Sequence, residues 1–296
     1  MAETSNGAPS LEEMLQACVE TVTDPAGRDI RVIREKGIET LCSQQGRTCG
    51  EIHVAALREG LLPYRYLRNR DSITTAMQLK LAQSRVAVIG AGGLGGQVIL
   101  LLARMGVGNL VVVDGDVFDE TNENRQALSS VHNRGVNKAI AARSAVASIN
   151  PGVEVFAHPV RFGKRNGKSI LRGCHVVIDA LDSVPDRFAV EAVSRELGIP
   201  FVHGAVAGFE GQVMSIFPED PGLELLYGTE GAAWHPEKRP EAVFGVPAVV
   251  PCLIATLQVM ETVKILLKNG KLLRNRMLRV DLETAEFHEI VFTEEI

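Results

Sequence analysis

Residues 85–126 read RVAVIGAGGLGGQVILLLARMGVGNLVVVDGDVFDETNENRQ, and the rest of the chain is organised around them. The stretch predicts a buried strand at 86–89, a glycine turn (Gly90, Gly92, Gly93, Gly95, Gly96), an apolar helix, and a second strand ending in an acid, Asp114. A unit of this kind receives a nucleotide at the helix N-terminus. Glycines let backbone N–H groups approach phosphate oxygens, and the helix end carries partial positive charge. The G-x-G-x-x-G spacing of Gly90, Gly92 and Gly95 is weak by itself; its place after a strand and before a helix gives it weight. Asp114 stands where an acid accepts hydrogen bonds from ribose hydroxyls, against the plainer reading of a turn acid at a strand end.

Working outward, 296 residues suffice for one large or two ordinary domains with a sizeable core. The formal net charge of −5, with acids and bases interspersed, lacks the basic footprint of a nucleic-acid-binding domain. Apolar runs such as 98–103 and 246–255 fall short of the roughly 20 residues that cross a bilayer, and the N-terminus lacks a basic start and apolar core, so a cytoplasmic protein without a membrane partner is expected. Five scattered cysteines (Cys18, Cys42, Cys49, Cys174, Cys252) form neither a disulfide framework nor a CxxC metal pattern, and reduced thiols are expected.

Residues 10 to about 67 alternate helical patterns with turn signals; Ser10 followed by Glu13 has the form of a capping box. Cys42 and Cys49 read as two small thiols rather than half a metal site. The segment LLPYRYLRNR carries Arg65, Arg68 and Arg70, either a solvated basic linker or a set of phosphate clamps, and Asp71 is placed to cap the helix that leads into the first strand. Beyond Asp114 runs a long acidic and amide-rich loop, then a helix opened by Asn137 and Lys138, a strand at 153–157, a strand at 175–180 with Asp179 and Asp182 at its end, a helix near 186–197 and a strand at 200–205. This alternation predicts an α/β fold: a doubly wound, mostly parallel, open sheet with helices on both faces and ligands at the carboxyl ends of the strands. Thereafter GQVMSIFPED reads as a strand, residues 222–247 as an irregular polar crossing, 249–268 as a long apolar helix, and the tail as an antiparallel hairpin.

The default reading of the glycine unit is an NAD-dependent dehydrogenase, and three features pull away from it. Asn122, Arg125 and Gln126 lie beyond Asp114, where an amide and a guanidinium suit a triphosphate. Lys138 opens a helix, an awkward place for a cation unless phosphate lies nearby. Asp179 and Asp182 offer carboxylate oxygens for Mg²⁺ held against phosphate. Each has a plainer rival: loop solvation, a surface lysine and a helix cap.

Together these residues resemble the ThiF/MoeB/HesA branch of the ubiquitin-activating-enzyme superfamily. The likeness rests on GAGGLG, DxD (Asp114, Asp116), NxxRQ (Asn122 to Gln126), GVNK, INP, DALD and GxxGQV, preceded by RYLRN and closed by GVPAVVPCLIATLQVMETVKILL, from about Arg65 to the C-terminus. It implies a Rossmann-like adenylation domain at 63–296 behind a helical extension at 1–62. The implied activity is ATP-dependent adenylation of the C-terminal carboxylate of a small ubiquitin-like sulfur carrier ending in Gly-Gly, with pyrophosphate release, as in cofactor biosynthesis. The resemblance further implies that Gly90, Gly92, Gly93 and Gly95 cradle phosphates and that Asp114 holds the ribose, with Asp116 and Gln126 completing the nucleotide-binding set. Asn122, Arg125 and Lys138 neutralise the triphosphate, Asp182 positions Mg²⁺, and Arg68 reaches the partner subunit's site in a homodimer.

The chain departs from the family's pattern in three ways. Neither PGLELLYG nor the tail holds the CxxC pairs of a structural zinc site, so no zinc is expected. No cysteine lies between Gly211 and Pro251, and Cys252 and Cys174 read as buried small residues. Ser183 stands where the family has asparagine. Two other functions stay open: activation of a small-molecule or tRNA-nucleoside carboxylate, and a non-catalytic nucleotide-binding regulator.

Overall fold

Strand β4 (Arg85–Ile89) is a continuous run of buried aliphatic residues because it lies between two parallel neighbours and has both faces covered. Its neighbours β5 (Asn109–Val113) and β7 (Val176–Asp179) have the same composition for the same reason. With β6 (Glu154–His158), β8 (Phe201–Ala207), β9 (Glu210–Ile216), β10 (Arg276–Asp281) and β11 (Glu286–Val291) they form an eight-stranded sheet in the order β11-β10-β9-β8-β7-β4-β5-β6. The β6-β5-β4-β7-β8 portion is parallel, and β8 to β11 are antiparallel. The chain moves outward from β4 to β6 and then returns to β7 on the other side of β4. That reversal leaves a crevice beyond the carboxyl ends of β4, β5 and β7, the usual ligand position in such sheets.

The computed structural model describes residues 9–229 and 243–292; part of the expected crossing at 222–247 lies outside the described residues. The chain divides into compact units at 1–83 and 84–296. In the larger unit, α5 (Gly93–Met105), α6 (Lys138–Ile149), α7 (Lys164–Leu171) and α8 (Val184–Glu196) accompany the parallel strands, α9 (Glu224–Tyr227) follows β9, and α10 (Val249–Leu267) packs on α5 and on β7 to β9. Helix α7 has no counterpart in the sequence reading. KRNGKSIL is polar, carries an internal glycine and buries only Gly167, Ile170 and Leu171. Helix α10 is, among the described residues, the one helix long and apolar enough by length and composition to cross a membrane, with half of that window buried inside the chain. Its buried side chains include Gln258 and Glu261, each held by hydrogen bonds: Gln258 Nε2 donates to the Asp179 carbonyl at 2.8 Å, and Glu261 accepts from Ser215 Oγ at 2.7 Å.

The smaller unit is not purely helical. Besides α1 (Leu11–Ala17), α2 (Glu35–Gln45), α3 (Cys49–Arg58) and α4 (Thr75–Ala82) it contains a sheet of β1 (Val19–Thr23), β2 (Asp29–Ile33) and β3 (Leu62–Pro63). The alternation in VETVT and DIRVI is joined by a turn in which the Asp24 carboxylate accepts from the N–H groups of Ala26 and Arg28, both at 2.9 Å. The Ser10–Glu13 capping box is present. Asp71, in contrast, does not cap α4: it has a φ of 82° and pairs with Arg28 at 2.6 Å, while Thr74 accepts from the N–H of Met77. Leu79 and Ala82 of α4 pack with Ile30, Val32, Leu57, Leu62 and Tyr66, which is why 63–83 belongs to this unit by packing.

Candidate active site

Gly90 follows β4 with a φ of +95°, and a β-carbon there would lie 2.5 Å from the Ala180 carbonyl oxygen, so the turn after β4 runs against the turn after β7. At Gly95 a β-carbon would lie 1.9 Å from the carbonyl oxygen of Gly90, which lets the first turn of α5 settle on the strand end. The helix begins with Gly92 at its N-cap and no acid in its first turn, so its N–H groups face an uncompensated positive helix end.

Asp114 closes the turn from below. Its Oδ2 accepts from the Ala91 N–H at 2.7 Å and its Oδ1 from the Asp116 N–H at 2.8 Å. Burial holds its carboxyl above the ordinary carboxylate value, against the opposing pull of those two N–H groups and of Lys138. The 115–135 loop then folds back over the glycines. Asn122 accepts from the Asp119 N–H in a capping box, and its carbonyl accepts from the N–H groups of Arg125 and Gln126. A β-carbon on Gly93 would lie 3.6 Å from Cγ of Arg125, and one on Gly92 would lie 3.7 Å from Nε2 of Gln126. Arg125 donates within its own loop, to the Thr121 carbonyl and to Asn124 Oδ1, both at 2.9 Å, and makes no ion pair among the described residues. Gln126 is buried with its Oε1 unbonded.

Lys138 is buried at the first position of α6, with Nζ 3.5 Å from Asp116 Oδ2, so the exposed Asp116 answers part of the charge that looked unpartnered in sequence. Asn137 holds this corner: its Oδ1 caps α6 and its Nδ2 donates to the carbonyls of Asp114 and Asp116, at 3.0 and 2.9 Å. Thus Gly90, Gly92, Gly93, Gly95, Asp114, Asp116, Asn122, Arg125, Gln126 and Lys138 converge at one end of the sheet. Asp182 is exposed in the turn after β7, two residues beyond the Ala180 that touches Gly90.

The ThiF family matches residues 66–295. The chain belongs to the ThiF family. It is 38% identical over 231 residues to the SAMP-activating enzyme E1 of Haloferax volcanii, covering 77% of this chain and 84% of that one. It is 35% identical over 222 residues to a sulfur carrier protein adenylyltransferase of Thermus thermophilus, covering 72% and 80%. Among solved structures, E. coli MccB with ATP superposes with a TM-score of 0.66 at 18% identity, covering 87% of this chain and 80% of that one, a likeness of fold.

Within this ThiF fold the remaining sequence candidates separate. Of the three arginines in the 1–83 unit, Arg65 is paired with Glu35 at 2.6 Å and Arg70 with Asp24 at 2.8 Å, whereas Arg68 is exposed and makes no ion pair among the described residues. Asp179 is not an exposed ligand. It is fully buried, its Oδ1 accepts from the Leu181 N–H at 2.9 Å, and its Oδ2 lies 2.7 Å from Nδ1 of the fully buried His203. Burial drives the His203 pKa down, opposed by Asp179. With the carboxylate of Asp179 as acceptor, Nδ1–H is the donor of that contact, and Nε2 accepts from Tyr227 Oη at 3.2 Å. Arg187, buried at 3%, joins the cluster through the Leu181 carbonyl and Tyr227. A lone histidine in the apolar strand FVHGAV was the signal for this network.

Cys174 is buried as expected, but Cys252 is exposed and accepts a contact from Gln97 Nε2 at 3.1 Å. It sits one residue from the start-of-helix Pro251, whose Cγ would lie 3.7 Å from a β-carbon on Gly93; the apolar pattern of the helix hid a position on its outer face. The Sγ atoms of Cys42 and Cys49 are 3.0 Å apart and half buried. Among the described residues no group of three or more His, Cys, Asp and Glu is placed to hold a metal ion.

Proposed function

We propose that this protein uses ATP and Mg²⁺ to adenylate the C-terminal carboxylate of a small ubiquitin-like sulfur carrier ending in Gly-Gly, working as a homodimer without structural zinc. The observation that carries the reading is the loop bearing Arg125 and Gln126, folded over a glycine turn whose base is Asp114. A nicotinamide dinucleotide has no use for a guanidinium there, whereas a triphosphate does. The names of the 38% and 35% identical relatives supply the substrate class.

In the reaction a carboxylate oxygen forms a bond to the α-phosphorus of ATP, and the bond from that phosphorus to the oxygen bridging to the β-phosphate breaks. Pyrophosphate leaves with the electron pair. Two anions must be brought together, and stabilising the charge on the phosphoryl group and the leaving group is the main task of the site. The N–H groups of α5, Arg125, Lys138 and Asn122 supply that charge stabilisation, and Asp114 accepts from the ribose. Lys138 exchanges part of its contact with Asp116 for phosphate. No protein nucleophile is required.

The donor set suits Mg²⁺, which keeps several waters and binds proteins through one or two carboxylates together with substrate phosphates. Exposed Asp182 beside the glycine turn would hold it, and the metal would supply charge neutralisation to the triphosphate. Asp179, committed on both oxygens, would not. Arg68, exposed while its neighbours Arg65 and Arg70 are paired with acids, is the arginine we assign to the partner subunit's site.

The test is exchange of radiolabelled pyrophosphate into ATP. Exchange should depend on a Gly-Gly-ended carrier and disappear when the carrier's terminal carboxylate is amidated. Exchange driven instead by a small carboxylate would select the alternative substrate class, and nucleotide binding without any exchange would overturn the enzymatic reading.

A further inference from the structure

The two backbone polar groups of Leu181, its N–H in the Ala180–Leu181 peptide and its C=O in the Leu181–Asp182 peptide, are both held by buried charged side chains. The N–H donates to Asp179 Oδ1 at 2.9 Å, and the C=O accepts from Arg187 Nη2 at 2.7 Å and Nε at 3.2 Å. Arg187 Nε also lies 3.5 Å from Asp179 Oδ2, so the pair closes around the backbone of Leu181. Behind them Arg187 Nη1 donates to Tyr227 Oη at 2.9 Å, Gln212 Nε2 donates to the same oxygen at 3.1 Å, and His203 Nδ1 holds Asp179 Oδ2 at 2.7 Å. The main chain of Asp179 is fixed as well, through Gln258 Nε2 on its carbonyl at 2.8 Å.

A buried ion pair is a poor source of stability, because apolar residues of similar volume commonly do as well or better. What this one specifies is orientation: three side chains, Asp179, Arg187 and Gln258, bond the backbone of one turn, and the next residue along the chain is the exposed Asp182. Successive Cα atoms are fixed about 3.8 Å apart across a trans peptide, so a rotation of the Leu181–Asp182 peptide, whose C=O Arg187 holds, carries Asp182 with it.

We infer that Asp179 and Arg187 are positioning residues that clamp the two peptide units flanking Leu181, the second of which leads into Asp182, and thereby aim the Asp182 carboxylate at the nucleotide's metal. This rests on the reading of Asp182 given under Proposed function. Tyr227 extends the clamp to α9, the short helix near the start of the 222–247 crossing.

The test compares wild type with Asp182→Ala, Arg187→Met, Arg187→Lys, Tyr227→Phe and the double variant Arg187→Lys/Asp182→Ala. Affinity for a fluorescent, non-hydrolysable ATP analogue is measured in chelator and in Mg²⁺, next to the Mg²⁺ concentration that half-saturates exchange and the unfolding temperature. The clamp should be seen as a loss of about tenfold in the affinity gained on adding Mg²⁺ in Arg187→Lys and Arg187→Met, with chelator-state affinity kept within about twofold, and a smaller loss in Tyr227→Phe. The double variant should be no worse than Asp182→Ala alone. Should Arg187→Met fail to fold, Arg187→Lys and Tyr227→Phe still decide the matter. If folded variants keep the full Mg²⁺ gain while Asp182→Ala loses it, or lose affinity equally with and without metal, the clamp is wrong and Asp182 stands. If Asp182→Ala itself keeps the gain, the assignment of Asp182 falls and the clamp with it.

Discussion

Two alanine substitutions two residues apart separate steric fit from helix propensity at the nucleotide turn. Alanine favours a helix interior over glycine by about 1 kcal/mol, so propensity alone would have both Gly93→Ala and Gly95→Ala stabilise α5. The packing distinguishes them. At Gly93 an added β-carbon meets nothing closer than 3.6 Å, an ordinary contact. At Gly95 it would lie 1.9 Å from the Gly90 carbonyl oxygen, 2.8 Å from the Gly90 carbonyl carbon and 3.0 Å from the Ala180 β-carbon. Opening the first contact to even 3.0 Å requires a shift of 1.1 Å between helix and turn, neither of which is a flexible side-chain end. Overpacking of this kind costs about 1–3 kcal/mol, or roughly 2–12 °C in unfolding temperature for a unit of this size. The same shift displaces the N–H groups that face phosphate, and a 1 Å misplacement is worth about a hundredfold in rate. Differential scanning calorimetry should therefore find Gly95→Ala destabilised and Gly93→Ala unchanged or slightly stabilised. Exchange by Gly95→Ala should fall about a hundredfold. A Gly95→Ala protein as stable as wild type would refute the packing of α5 on the Gly90 turn.

Three other outcomes follow from particular residues. Burial drives the His53 pKa from 6.5 down to about 4, so as pH falls through that window the unfolded chain takes up a proton that the folded chain refuses; stability falls by about 3 kcal/mol in all, and urea titrations of His53→Leu should lose that slope. Arg68→Ala should lose exchange yet be rescued in mixed dimers with a subunit inactivated at Asp182, and failure of rescue would place Arg68 in its own subunit's site or outside any site. Prolonged dialysis against a chelator should leave the unfolding temperature of the nucleotide-free protein unchanged and release no stoichiometric zinc; a large drop would reveal a structural metal.

The parallel core was readable because strands covered on both faces must be continuously apolar, and residues 86–89, 110–113 and 176–178 are. The β1–β2 hairpin was missed because its strands are joined by a longer turn, in which the Asp24 carboxylate accepts from Ala26 and Arg28 and Gly27 has a φ of 78°, rather than by a two-residue glycine turn. Helix α7 was missed because it buries three residues of eight. The site divides in the same way. The residues near the glycine turn announced themselves by type and spacing, but Asp179 and Asp182 look alike in sequence and differ only in which one faces the core, a consequence of where β7 ends. The His203, Arg187 and Tyr227 network joins elements 24 to 40 residues apart in pairs that no local pattern connects. Cys252 shows the reverse error, an apolar helix pattern concealing an exposed thiol.

The central claim, activation of a carrier's terminal carboxylate, is most directly tested by following the α-phosphate of ATP. Enzyme, Mg²⁺ and a Gly-Gly-ended carrier are mixed with ATP labelled at the α-position, quenched in acid within one turnover, and the carrier is isolated. The expected result is label on the carrier as an acid-stable acyl-adenylate, lost on treatment with hydroxylamine and absent with Asp182→Ala. Label recovered only as free nucleotide, while the carrier stays unmodified, would contradict the proposed function.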